Sequence, residues 1–240
     1  MSESDHSRAL HDFSADDPAW LRWPRRAWEH RERLRQSPRA LQLLQWLDDP
    51  HKVQLVLGRD GYRDAMVSLL KLAQPADCVA AGFDEDKADP HRAHFNAHGL
   101  SILFDLSPKG QHRAVLWTEP DWPGAALWID GRWIVDPREP GCERAGRWVD
   151  ERLFAVHVPG PEDHPHQGLD FGGLGTVRGL LVVDGSTGRH RVLQPSDQAQ
   201  WSAPWLVTEG GRWLVYPQRE AHERGELPAR VFGSVDDLLI

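Results

Sequence analysis

The sequence has few of the residues on which several protein classes depend. Only two of its 240 residues are cysteines, Cys78 and Cys142, so a disulfide framework is excluded. It also has no run of eighteen apolar residues, as a membrane-spanning helix would need. Residues 1–17 contain no basic stretch followed by an apolar one. We therefore expect no secretory signal, and a cytoplasmic protein with reduced thiols.

Lysine, asparagine and isoleucine are scarce as well. The chain has four lysines against 24 arginines, one asparagine and four isoleucines, whereas tryptophan occurs twelve times. This bias follows GC-rich codons and indicates a GC-rich bacterial genome. The 36 acidic residues outnumber the 28 basic ones, which gives a formal net charge of -8. That balance argues against general attraction to nucleic acid or to an anionic membrane.

The first part of the chain has the apolar spacing of α-helices. The clearest helix follows Ser37, a capping residue, and Pro38, since apolar residues then recur every three or four positions. Alternation of apolar and polar residues over 53–57 predicts a short strand. Helical spacing returns over 60–73, and a short helix is predicted over 75–81.

Beyond residue 98 the apolar period changes from 3.6 to 2, which indicates β-strands. Turn sequences such as Asp130-Gly131 separate the strands into hairpins. The predicted strand pairs are 100–106 with 114–118, 125–129 with 132–136, 177–183 with 189–194, and 204–208 with 212–216. One more strand is predicted over 148–158.

Together these patterns predict an α+β protein with a helical N-terminal half followed by an antiparallel β-meander. The meander would form a sandwich, a curved sheet or an incomplete propeller-like structure. We predict a disordered tail over 1–17, a helical segment over 18–98 and a β-rich segment over 99–240. The two structured segments are expected to pack as one unit.

Two hairpin motifs, at 182–188 and 211–213, resemble the blade hairpins of TolB-type β-propellers. The resemblance implies propeller-like packing of the strands. However, the β-rich segment is shorter than four blades of about 40 residues each, which argues against a closed propeller. Hairpins that merely share turn chemistry are the favoured interpretation.

Three histidines near the end of the helical segment form the most metal-like cluster. A helix begun by Asp89 and Pro90 would place His91, His94 and His98 on one face, within reach of one zinc ion. A zinc ion with an open position is typical of hydrolytic enzymes. The alternative, which we favour, is a polar connector with exposed histidines and no cofactor.

A second candidate metal site is the His164-Pro165-His166 sequence with Asp170. The His-x-His spacing suits a metal, but the surrounding Pro- and Gly-rich sequence favours a simple loop.

Motifs for a catalytic nucleophile are absent. No Gly-x-Ser-x-Gly elbow occurs. Cys142 lies in a predicted turn beside Gly141, and Cys78 has the apolar neighbours of a core thiol, so neither is assigned as a nucleophile. The glycines of 171–175 lack the Lys-Ser/Thr that a phosphate-binding loop requires. We therefore predict no catalytic residues.

The stretch from Trp20 to Arg39 combines many arginines with three tryptophans, which locally resembles a nucleic-acid-binding surface. An amphipathic helix explains it equally, because Glu29 and Arg33 form an i,i+4 pair on the solvent face. We favour the helix and regard a nucleic-acid partner as the weaker hypothesis.

Two features favour a protein partner. One is an acidic segment with four carboxylates, Asp84, Glu85, Asp86 and Asp89, which would attract a basic surface. The other is a set of tryptophans that flank prolines in predicted loops: Trp122, Trp201 and Trp205. They are candidates for exposed contact residues, and the alternative, which we favour, is that they anchor the loops in the core.

These features lead to three functional hypotheses. The first is a non-enzymatic bacterial protein that binds another protein, most specifically an immunity protein that neutralises a cognate antibacterial toxin, or a secretion-system accessory. The second is a metal-dependent enzyme that uses one of the histidine clusters. The third is a nucleic-acid-associated protein.

Overall fold

A computed structural model describes residues 37–97, 99–120, 122–139, 141–168 and 176–240. The chain divides into two compact units between residues 98 and 99. The predicted tail over 1–17 lies outside the described residues. So do almost all of the arginine-rich stretch from Trp20 to Arg39, with the amphipathic helix predicted there, His98, Asp170 and the glycines of 171–175.

The first helix, α1 (Pro38–Asp48), confirms the prediction made from Ser37 and Pro38. The Ser37 hydroxyl accepts a hydrogen bond from the Ala40 N–H at 3.2 Å, and Pro38 occupies a position that needs no N–H donor. One face of the helix is buried, through Ala40, Leu43, Leu44, Trp46 and Leu47.

The second helix, α2 (Pro50–Leu70), contains the 53–57 stretch, so the strand predicted there is wrong. The helix begins early because the Asp49 carboxylate caps it, accepting from the Lys52 N–H at 3.0 Å. Pro50 then fits the first turn.

Helix α2 is kinked at Gly58, whose φ of +75° lies in the left-handed region. This kink explains why the apolar period breaks there. Beyond it, Tyr62, Met66 and Leu70 are buried at intervals of four residues, as the helical spacing over 60–73 predicts.

Helix α3 (Pro75–Ala80) matches the short helix predicted over 75–81, and Gly82 follows it with a φ of +100°. The described residues that follow Gly82 in this unit, 83–97, contain no helix. Strand β1 (Asp84–Glu85) pairs with strand β2 (Arg92–Ala97) in antiparallel orientation. The sequence predicts a helical segment over 18–98. Among the described residues of that segment, the last helix ends at Ala80.

The C-terminal unit consists mainly of antiparallel strands. Four follow one another in a hydrogen-bonded row: β3 (Leu100–Leu106), β4 (Arg113–Thr118), β5 (Ala126–Ile129) and β6 (Arg132–Val135). A four-stranded sheet has the order β10-β9-β8-β7, with β7 (Gly146–Trp148), β8 (Leu153–Pro159), β9 (Arg178–Asp184) and β10 (His190–Leu193).

A third sheet contains β11 (Trp205–Glu209), β12 (Arg212–Tyr216) and β13 (Arg230–Phe232). Two short helices accompany it, α4 (Arg219–Glu223) and α5 (Val235–Leu239). All four predicted hairpins are confirmed. The single strand predicted over 148–158 is wrong: it is a hairpin of β7 and β8, because the Asp150 carboxylate turns the chain by accepting from the N–H groups of Arg152 and Leu153.

The two central strands of the four-stranded sheet, β8 and β9, are buried on both faces. Phe154 and Val156 of β8 belong to a core shared with β3, β4 and β5, whereas Leu153 and Ala155 face a second core shared with β11 and β12. This alternation is the period of 2 expected of a strand. The structure thus confirms a mixed α+β protein with antiparallel sheets, and the closure into a sandwich, curved sheet or propeller stays a prediction.

None of the helices in the described part of the chain is both long and apolar enough to span a membrane.

Candidate protein-binding surface

Strand β1 places two carboxylates of the acidic segment, Asp84 and Glu85, at the edge of a sheet. Among the strands that the structure describes, β1 pairs with β2 alone, and Asp84 lies opposite His94 while Glu85 lies opposite Ala93. Both acidic side chains are exposed. An edge strand offers a row of backbone N–H and C=O groups to which another chain can add a strand. Carboxylates on such an edge select for a basic partner.

The other two carboxylates of the segment have a structural task. The Asp86 carboxylate accepts from the Ala88 N–H at 2.9 Å, and the Asp89 carboxylate accepts from the His91 N–H at 3.0 Å. The hydrogen bond from Ala88, together with the charge of Arg92, holds the pKa of Asp86 below its ordinary value despite some burial. Asp86 therefore stays ionised at neutral pH, and both residues shape the turn between β1 and β2.

The same unit exposes an apolar run at the kink of α2. Leu55 is 88% exposed, Val56 68% and Leu57 36%. Three consecutive exposed aliphatic side chains are unusual on a surface, and such patches commonly mark contacts with other proteins. The sequence pattern missed this run because its alternation indicated a half-buried strand.

The three tryptophans predicted to lie in loops have different environments, and Trp205 is the first residue of β11. Trp201 is 1% exposed and belongs to the core between β8, β9, β11 and β12, so the hypothesis that it is an exposed contact residue is wrong. Its size explains this, because a large ring fills a gap between two sheets. Trp122 and Trp205 are half-buried. The Arg147 guanidinium covers the Trp205 ring at 3.5 Å from its centroid.

The histidine cluster at 91–98 does not lie on a helix. Residues 92–97 form β2, so the helical face predicted for His91, His94 and His98 is wrong. His91 lies in the turn before β2, whereas His94 lies within the strand, so the two do not share a helical face. The exposed His94 has its Nε2 atom 3.8 Å from the Asp86 carboxylate.

The second histidine pair, His164 and His166, makes hydrogen bonds that stabilise its own loop. His164 is 4% exposed and its Nε2 atom lies 3.2 Å from the Ser196 carbonyl oxygen, while its Nδ1 accepts from the His166 N–H. The two rings are 5.8 Å apart. Within the described ranges, no group of three or more His, Cys, Asp or Glu side chains is arranged to hold a metal ion. The two sets predicted from the sequence include His98 and Asp170, which those ranges omit.

Neither cysteine is exposed. Cys142 is 0% exposed and its thiol donates to the Ala125 carbonyl oxygen at 2.9 Å. Burial raises the pKa of this thiol to about 12, so it is protonated and unreactive at neutral pH.

Sequence reasoning missed a polar cluster at the hairpin turns of the C-terminal unit. It joins His112 before β4, Asp130 in the β5–β6 turn and Ser186 in the β9–β10 turn. These residues are up to 74 positions apart in the chain. Their turns were visible in the sequence, but only the strand order brings the three side chains together.

No protein-family model, curated protein or solved structure matches the chain.

Proposed function

We propose that this protein acts by binding another protein with a basic surface, and that the acidic edge strand β1 is the main contact. The observation that carries the proposal is the exposure of Asp84 and Glu85 on a strand that pairs with only one described strand. A net charge of -8 supports it, since a negative protein and a positive partner associate faster than neutral ones.

The exposed run Leu55 to Leu57 supplies the apolar part of this proposal. Charged groups set the rate and specificity of association, whereas buried apolar contacts slow dissociation. A partner that has both a basic edge and an apolar groove would use both features.

In its most specific form, the proposal is a cytoplasmic bacterial immunity protein that neutralises a cognate antibacterial toxin, or a secretion-system accessory. The bias toward amino acids with GC-rich codons supports a bacterial origin, and the acidic net charge supports binding to a basic partner. A metal-dependent enzyme and a nucleic-acid-binding protein remain hypotheses that none of the described contacts favours.

The test uses the protein encoded by the adjacent gene, purified with an inactive active site if it is toxic. We expect the two proteins to elute together from a size-exclusion column and to bind with a nanomolar Kd in calorimetry. Co-expression should also protect cells from the active form. Separate elution with no measurable heat of binding would contradict the immunity proposal.

A variant pair tests the role of the apolar run. Leu55→Ser with Val56→Ser should raise the dissociation rate by about tenfold, whereas Leu227→Ser, which changes a residue that is 90% exposed in the C-terminal unit, should leave it unchanged. Equal dissociation rates for both variants would remove the run from the interface.

A further inference from the structure

The polar cluster of His112, Asp130 and Ser186 has the connectivity of a nucleophile, a base and an orienting carboxylate. The Ser186 hydroxyl oxygen lies 3.3 Å from Nε2 of His112, and Nδ1 of the same ring lies 2.6 Å from the Asp130 carboxylate. A carboxylate at Nδ1 favours the tautomer in which Nδ1 carries the proton. The lone pair of Nε2 then faces the serine hydroxyl.

We propose that Ser186 is a nucleophile for the hydrolysis of small activated carboxylic esters, with His112 as its general base and Asp130 as a positioning residue. Ser186 is exposed, so a substrate can reach it, while the His112 side chain is only 16% exposed and the Asp130 side chain 24%. The site is distinct from strand β1 and belongs to the other unit. It would add an activity to the proposed binding function.

His112 and Asp130 are held in place by neighbours outside the cluster. The second carboxylate oxygen of Asp130 accepts from the Arg113 N–H at 2.9 Å. The His112 ring stacks on Trp148, with centroids 5.9 Å apart and planes inclined by 27°, and Trp148 is itself anchored by a hydrogen bond to the Asp105 carbonyl. Such support is what a catalytic arrangement needs to keep its geometry.

The turn that carries Ser186 is equally constrained. The Asp184 carboxylate accepts from the N–H groups of Ser186 at 2.9 Å and Thr187 at 3.3 Å. A Cβ atom on Gly185 would lie 3.1 Å from the His112 ring and 3.0 Å from Trp148. A side chain there would force the rings of His112 and Trp148 to move by a few tenths of an ångström, so glycine suits this close approach.

The same contacts define the substrate class. The N–H groups of Ser186 and Thr187 already donate to Asp184, so they do not serve as an oxyanion hole. Positive charge near the turn comes from the Arg132 guanidinium, which donates to the Thr187 carbonyl, and from the Arg152 guanidinium, which is engaged by Asp184. A site with limited oxyanion stabilisation needs a good leaving group, and this selects aryl esters over alkyl esters and amides.

The reaction is an acyl transfer. The Ser186 oxygen forms a bond to the ester carbonyl carbon while its proton passes to Nε2 of His112, and the bond from that carbon to the aryloxide breaks. The imidazolium gives the proton to the aryloxide. Water, deprotonated by the same nitrogen, then cleaves the acyl-serine to a carboxylic acid and restores the hydroxyl.

Two probes test the proposal on the full-length protein: p-nitrophenyl acetate as substrate and a fluorophosphonate as covalent label. We expect the fluorophosphonate to label Ser186 and the Ser186→Ala variant to lose label and at least tenfold of the hydrolysis rate. Ser202→Ala is the matched control, because Ser202 is an exposed serine whose hydroxyl donates to Gln218 at 3.3 Å. It should keep both properties.

Asp130→Asn separates positioning from folding. Asp130 has a φ of +44°, a conformation that asparagine tolerates well, and the amide oxygen can still accept from Arg113. We expect kcat to fall at least tenfold with KM and the thermal transition unchanged. The proposal is overturned if the wild-type protein hydrolyses the ester no faster than Ser186→Ala, or if the label attaches elsewhere and not to Ser186.

Discussion

Asp184 shows how much one buried residue contributes to the turns of the C-terminal unit. Its side chain is 0% exposed and accepts from the Arg152 guanidinium at 2.5 Å as well as from the turn that follows β9. Burial by itself would raise the pKa of Asp184, but these hydrogen bonds and the Arg152 charge outweigh it and hold the pKa below its ordinary value. The ionised form is therefore part of the native structure.

Asp184→Asn should lower the free energy of unfolding by about 2 kcal/mol at pH 7. Because the folded pKa is depressed, the contribution is present above the unfolded pKa of about 3.9 and is lost as the pH falls through the folded value. Urea unfolding of the variant and the wild type at pH 7 and pH 3 measures the difference in their free energies of unfolding at each pH. We expect the difference to shrink at pH 3.

The control is Glu162→Gln, which neutralises an exposed carboxylate. It should change the free energy of unfolding by less than about 0.5 kcal/mol. A difference for Asp184→Asn that stays the same at both pH values would show that its charge is irrelevant.

At the scale of elements, the helices of the N-terminal unit depend on local sequence at a few positions. Gly58 kinks α2 with a left-handed φ and has open space around its Cα, so an added Cβ is penalised by conformation alone. Gly61, three residues later in the same helix, has a helical conformation, and a Cβ there would make an ordinary 3.4 Å contact with Leu57. The two glycines thus form a matched pair.

Gly58→Ala should destabilise the protein by about 1 kcal/mol because an L-residue resists the left-handed region. Gly61→Ala should instead stabilise it by up to about 1 kcal/mol, since alanine favours helix. Chemical denaturation of both variants checks this. If both substitutions stabilise, the helix has no left-handed kink at residue 58.

Leu44→Asp tests the buried face of α1. Leu44 is 3% exposed, so the substitution places a charge in an apolar core and should abolish the thermal transition of the helical unit. Leu41→Asp, at a half-buried position on the same helix, should cost less. An unchanged transition for Leu44→Asp would mean that this face is not part of a core.

The sequence predicted those elements whose signals are local. The α1 cap at Ser37 and the glycine-containing hairpin turns specify their structure within a few residues, and both were found. The stretch 53–57 misled because five alternating residues fit a strand, whereas the Asp49 cap that starts the helix lies before them. The His112 cluster was out of reach, because its members meet only through strand pairing.

At the scale of the whole molecule, net charge is the property that most directly affects association with a basic partner. The net charge of -8 includes the exposed pair Asp84 and Glu85, whereas Asp86 and Asp89 hold the adjoining turn. Reversing all four carboxylates would therefore slow association with a basic partner and also disturb the turn. The sharper variant reverses only Asp84 and Glu85.

The most direct test of the proposed function is the association rate with the adjacent gene's protein, measured by surface plasmon resonance at 50 and 300 mM salt. Asp84→Lys with Glu85→Lys is compared with Glu162→Lys with Asp163→Lys, an exposed acidic pair in the C-terminal unit that changes the net charge equally. We predict that the first variant associates about tenfold more slowly than wild type at low salt and that the second stays within about twofold. Equal rates for the two variants would contradict the claim that strand β1 is where the partner binds.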